Sequence, residues 1–126
     1  MNANILELGE AFLNAFNEKD ISKITAMVHP EIRFKSPLNE ASNREGYLAV
    51  VRRLLANIKG LRIKSKFASG NQAMFAYDLN FNEPIGLVGS ALLMTFEGDQ
   101  IKDLEVFYDA RRFEKESAAP GLKLAA

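Results

Sequence analysis

Apolar residues recur at three- and four-residue spacing between Ile5 and Asn17, so Ile5, Leu8, Ala11, Phe12, Ala15 and Phe16 fall on one face of an amphipathic helix. Asn4 stands at the N-cap with Glu7 three residues on, a pairing suited to the free amides of a first turn. Glu18-Lys19-Asp20 breaks the pattern, and Asp20 is placed to cap a shorter helix from Ile21 to Val28 that buries Ile21, Ile24 and Val28. His29-Pro30 ends that helix, because the residue before a proline is pushed out of helical geometry. Ile32, Phe34 and Ser36 then alternate with Arg33 and Lys35 as a short strand that Pro37 stops. Leu38 to Asn43 reads as a polar loop. A third helix is predicted from Arg44 to Lys59, with Tyr47, Leu48, Val51, Leu54, Leu55 and Ile58 on its apolar side and Gly60 as a left-handed cap.

From Leu61 onward the period changes to two. Leu61, Ile63, Ser65 and Phe67 alternate with basic residues, and after Ser69-Gly70-Asn71-Gln72 the residues Phe75, Tyr77, Leu79 and Phe81 alternate with Met74, Ala76, Asp78 and Asn80. A three-residue loop, Gly70 to Gln72, would set Phe67 opposite Phe75, Ile63 opposite Leu79 and Lys64 opposite Asp78, matching apolar with apolar and pairing the charges. The stretch from Leu87 to Tyr108 holds two more strands around Glu97-Gly98-Asp99-Gln100. Its first strand is apolar on both faces, which predicts a central position covered on both sides. A three-residue loop there, Gly98 to Gln100, would group Leu104 and Val106 with Leu92 and Ser90.

A chain of 126 residues fits one domain with a real core, here residues 1–116, and the patternless segment 117–126 reads as a loosely held tail. Sixteen basic residues balance sixteen acidic ones and are scattered, so a phosphate-tracking surface for nucleic acid is not expected. There is no cysteine, which removes thiol nucleophiles, disulfides and thiolate metal sites together. Met1 to Asn4 lacks a basic segment leading into an apolar run, and no apolar stretch approaches membrane-spanning length. The expectation is a cytoplasmic protein without a membrane partner, cofactor or metal.

The order helix, helix, short strand ending in proline, helix, then four long antiparallel strands resembles the nuclear transport factor 2-like superfamily, and most closely its small SnoaL-like members. The stretches that carry the likeness are Ala15 to Asp20, Ile32 to Pro37, Ala73 to Tyr77 and Gly98 to Phe107. The resemblance implies an α+β cystatin-like cone, with three helices in the N-terminal half packed on a curved antiparallel sheet. It also implies homodimers through the convex sheet face and sites inside the cone. The fold carries isomerases, epoxide hydrolases, cyclases and plain binders, so the residues themselves must decide.

The ketosteroid isomerase branch keeps a carboxylate base just before the proline that ends the first strand, and that position is Ser36. Its oxyanion-hole tyrosine and protonated aspartate correspond to Phe12 and Leu92. None of the three can shuttle a proton at neutral pH. The epoxide hydrolase branch needs an Asp-Arg-Asp cluster in the cone, for which Arg33, Asp78 and Asp103 qualify only if the strand registers are shifted by one. His29, at a helix end before proline, reads as structural; Asp103 and Glu105 read as a solvated or dimer-facing row. Ser36 and Ser90 lack a histidine neighbour and are not credible nucleophiles.

The leading expectation is a binder of a small apolar molecule in a cone lined by Phe12, Phe16, Phe34, Ser36, Leu54, Tyr77, Leu79, Ser90, Leu92 and Tyr108. The first alternative is an isomerase, epoxide hydrolase or cyclase acting on a hydrophobic ketone, epoxide or polyketide-like substrate. It requires Asp78, Asp103 or Glu105 to point into the cavity. The second is a dimeric interaction module with a filled core.

Overall fold

The computed structural model describes residues 4–111 and 113. The elements run α1 (Ile5–Asn17), α2 (Ile21–Ala26), β1 (Val28–Lys35), β2 (Glu40–Ala41), α3 (Arg44–Leu55), β3 (Ile58–Ser69), β4 (Gln72–Phe81), β5 (Leu87–Glu97) and β6 (Gln100–Tyr108). All six strands join one curved sheet in the order β2-β1-β6-β5-β4-β3, with the helices packed on its concave side. The four long strands are antiparallel as expected, whereas β1 runs parallel to β6, so the sheet is mixed. The boundary expected at residue 116 and the tail beyond it lie outside the described residues. Among the described residues no helix is long and apolar enough to cross a membrane.

Helix ends follow from who satisfies the free backbone groups. Asp20 accepts from Lys23 N at 3.1 Å and Asn43 from Gly46 N at 2.8 Å, while Asn4 makes no side-chain cap bond. The second helix stops at Ala26, two residues short of the expected Val28. Val28 pairs with Ile101, and Ile101 N donates to Met27 O at 2.9 Å. The strand that the alternation predicted from Ile32 therefore starts at Val28 and absorbs Pro30 in an irregular stretch. The expected loop 38–43 contains the two-residue strand β2 on the outer side of β1. The third helix ends at Leu55, not Lys59, because Ile58 enters the sheet opposite Phe81, and Gly60 becomes a β3 residue.

Both hairpins turn in two residues, not three. Gly70-Asn71 and Gly98-Asp99 form the turns, with Gly70 at φ 60° and Gly98 at φ 62°, a region that glycine enters without a steric penalty. A tight turn alone would have put the wrong faces together. The sheet restores them with single-residue bulges at Lys64 in β3 and Lys102 in β6. Past Lys64, Leu61 opposes Leu79 and Ile63 opposes Tyr77, not Leu79. Between the bulge and the turn Phe67 opposes Met74, not Phe75, and is left 65% exposed on the convex face. Past Lys102, Leu92 opposes Val106 and Ser90 opposes Tyr108, so the expected grouping is reached by another route. A third extra residue, Lys59, bends the other end of β3. Each unpaired residue is a lysine, whose long stem keeps its charge in water; Lys64 Nζ reaches Asp78 at 3.2 Å.

The core lies between the concave face and the helices. Phe12, Phe75 and Phe81 are fully buried in it, each contributing about 1.5–3 kcal/mol by leaving water. Asn17 fastens the end of α1 to the edge strand: Leu61 N donates to its Oδ1 at 2.7 Å and its Nδ2 donates to Leu61 O at 3.1 Å. These contacts hold the helices as a roof over an interior that side chains do not completely fill.

Candidate functional site

The unfilled interior is a single apolar cup. Helix α1 contributes Phe12, Leu13 and Phe16, whose two rings meet edge-on with centroids 5.3 Å apart. Helix α3 contributes Tyr47, Val50, Val51 and Leu54, spaced to share one face. The sheet supplies Phe34, Leu61, Tyr77, Leu79, Phe81, Val88, Ser90, Leu92, Leu104, Val106 and Tyr108, all inward by alternation once the bulges are counted. Phe113 completes the wall, edge-on to Phe81 at 5.0 Å and to Tyr108 at 5.3 Å. The cavity measures about 40 Å³ as space open to the centre of a water-sized sphere. That is roughly three times the ~10–15 Å³ needed for one water, enough for several heavy atoms.

One row of hydroxyls crosses the floor. Tyr77 pairs with Ser90, and Ser90 with Tyr108, so their side chains sit side by side across β4, β5 and β6. Burial pushes the Tyr77 phenol well above its ordinary value; the Ser90 hydroxyl counters in part and nearby Tyr108 adds to the rise. Burial, with Tyr77 close by, does the same to Tyr47, and burial raises Tyr108 against a small opposing effect from Ser36. All three phenols are therefore neutral across the physiological range. The Tyr108 oxygen is shielded from solvent and makes no hydrogen bond among the described residues.

Nine of the ten residues expected to line the cone share this wall; Ser36 does not. It is buried, but its hydroxyl closes the turn into β2, accepting from Asn39 N at 3.2 Å and donating to Asn39 O at 3.4 Å. Leu13, Tyr47, Val50, Val51, Leu61, Phe81, Val88, Leu104, Val106 and Phe113 were not singled out. The helical spacing around Leu54 and the strand alternation already pointed to most of them. Phe113, an isolated aromatic past the last strand, gave no periodic signal.

No carboxylate enters the cup. Asp103 and Glu105 line an outer groove with Arg33, Lys35, Gln72, Leu93 and Thr95, and Asp78 faces outward between Arg62 at 3.7 Å and Lys64. His29 lies outside the cup, where its Nδ1 accepts from Glu31 N at 2.9 Å and its Nε2 faces Glu97 at 3.6 Å. Among the described residues no three His, Asp or Glu side chains gather as a metal site would need. The walls offer shape, apolar surface and neutral hydroxyls, which suits binding more than proton transfer.

Three helices on a curved mixed sheet enclosing such a cup define a cystatin-like, nuclear transport factor 2-like protein. The SnoaL-like domain profile matches residues 10–104, and the chain belongs to that family. Among curated proteins nothing matches it at a significant level. Solved structures with the same fold include a protein from Kribbella flavida DSM 17836, at TM-score 0.83 and 19% identity over 90% of this chain and 93% of that one. A nuclear transport factor 2-like protein of unknown function from Cytophaga hutchinsonii ATCC 33406 superposes at TM-score 0.78 and 20% identity, over 90% and 97%. A hypothetical protein with a ketosteroid isomerase-like fold from Catenulispora acidiphila DSM 44928, in complex with trimethylamine, gives 0.73 and 16%, over 91% and 95%. At these identities the likeness is one of fold.

Proposed function

We propose that this protein binds a small, largely apolar molecule inside the cup and performs no acid-base chemistry of the ketosteroid isomerase kind. The observation that carries the reading is the wall itself: aliphatic and aromatic side chains with four hydroxyls, and no Asp, Glu, Lys, Arg or His. Burial of apolar ligand surface supplies the affinity, roughly 25 cal/mol per Å² before the cost of association is subtracted. The Catenulispora acidiphila structure, with its small amine, is in keeping with a fold that accommodates small molecules. Native mass spectrometry of gently purified protein tests the reading directly. A bound mass that Ser90→Leu abolishes supports it; absence of any bound mass together with no binding from a panel of small hydrocarbons overturns it.

A second copy of the chain is the proposed partner, seated on the convex sheet face. By strand register Phe67, Met74 and Leu93 form one row there and Ala76, Ala91 and Phe107 the next, so exposed apolar side chains are contiguous across four strands. Arg33, Lys35, Asp103 and Glu105 flank them with charges of both signs, which a two-fold axis can match against one another. Patches of this kind mark interaction surfaces. Sedimentation should show a dimer that Met74→Glu with Phe107→Glu converts to a monomer; a wild-type monomer at micromolar concentration sinks the idea.

A further inference from the structure

We propose that the molecule held in the cup is uncharged and carries a hydrogen-bond acceptor, such as a carbonyl or ether oxygen, that receives the Tyr108 hydroxyl proton. This rests on the reading of the cup as a binding site and goes further by fixing the polarity of what fills it. Buried polar atoms in folded proteins nearly always have partners. The Tyr108 hydroxyl has none, although two serines stand nearby. Ser36 is spent on its turn with Asn39, and Ser90 Oγ donates to Val88 O at 3.2 Å within its own strand. The unused donor thus sits in the wall of a cavity whose other polar groups lie in the same cross-strand row. An acceptor on a ligand would complete the row.

The sign of the ligand follows from what the wall lacks. A carboxylate would enter without a cation to meet it, and leaving water unpaired is costly. An ammonium would trade its hydration for aromatic faces alone, with no carboxylate behind them. A neutral oxygen gives up little water and gains one hydrogen bond from a phenol that burial keeps protonated. The cavity of about 40 Å³ limits the bound portion to roughly one ring's worth of atoms.

The test uses four probes of similar shape on the full chain: cyclohexanone, methylenecyclohexane, cyclohexanecarboxylate and cyclohexylammonium, titrated while the aromatic NMR signals of the cup are followed. Cyclohexanone is expected to bind about tenfold more tightly than methylenecyclohexane. Tyr108→Phe should erase that difference, leave methylenecyclohexane unchanged, and melt at or above the wild-type temperature because it removes an unpaired hydroxyl. Equal binding of ketone and alkene overturns the inference while leaving the apolar-binding reading intact. Tighter binding of the carboxylate or the ammonium also overturns it. If no probe binds, the site reading itself fails and the inference falls with it.

Discussion

Gly9 of α1 lies directly over the ring of Phe75 on β4: a methyl group at Gly9 would stand 2.5 Å from Phe75 Cε1 and 3.2 Å from Met94 Sδ. Both partners are completely buried, so neither has room to retreat. The helix roof reaches the sheet here because it carries no side chain at the point of contact. Alanine favours a helix over glycine by about 1 kcal/mol, yet overpacking a full core costs about 1–3 kcal/mol. Gly9→Ala should therefore lower stability by about 1–2 kcal/mol, read as a lower denaturant midpoint at unchanged slope. A more stable variant would mean that α1 can lift off the sheet freely.

Lys19 joins the α1–α2 corner to the end of α3. Its Nζ donates to Leu55 O at 2.7 Å and Ile58 O at 2.9 Å, satisfying carbonyls that the helix end leaves open. Its backbone sits at φ 54°, a region costly for any side chain. Lys19→Met should lose about 1–2 kcal/mol, since charged hydrogen bonds vanish and the strain stays. Lys19→Gly should lose less, because glycine adopts that backbone without strain. Chemical denaturation of the pair checks the order.

The buried phenols make stability fall in alkali. Tyr47, Tyr77 and Tyr108 ionise in the folded protein only above their ordinary value of 10.0, chiefly because burial penalises the charged form. Once pH passes that value the unfolded chain releases protons that the folded chain retains, so it is favoured increasingly as pH rises. Their contribution is whole below pH 10.0 and is lost on the way up through the folded values. Tyr77→Phe should flatten the decline of melting temperature with pH in this window. A wild-type slope in the variant would place the Tyr77 ring in water.

Ser90 faces the cup, and its hydroxyl makes only the bond to Val88 O within its own strand. Ser90→Leu replaces that hydroxyl with an isobutyl group in space that is already open. Filling a void of this kind is expected to hold stability within about 1 kcal/mol while removing the room for a ligand. Melting temperature and loss of any co-purifying mass, measured on one preparation, check both halves.

Phe113 is 3% exposed and joins the wall through two edge-on ring contacts, on β4 and β6. Phe113→Ala should cost about 3 kcal/mol, the lower end for truncating a buried phenylalanine. It should also open the cup, speeding exchange of any bound molecule. Ligand dissociation rates compared with those of Phe113→Leu separate a lost wall from a lost ring.

The sequence by itself determined which side chains face inward over most of the chain. Helical spacing set Phe12 and Phe16 together, and alternation set Tyr77 with Leu79 and Ser90 with Leu92, because these periods are properties of local backbone geometry. It also determined that acids would be missing from the places where relatives keep them, since Ser36, Phe12 and Leu92 are simply read off the chain. Only the tertiary structure decided how the strands meet. The two-residue turns would have turned apolar faces outward, and the bulges at Lys64 and Lys102 correct this because the helix roof makes burial of one face compulsory. The parallel pairing of β1 with β6, the early end of α3 and the arrival of Phe113 at Tyr108 depend on partners distant in sequence. So does the solitary hydroxyl of Tyr108, whose isolation comes from Ser36 and Ser90 spending their hydrogen bonds elsewhere. Periodicity is written into neighbours along the chain, whereas register and satisfaction are settled between elements that meet only on folding.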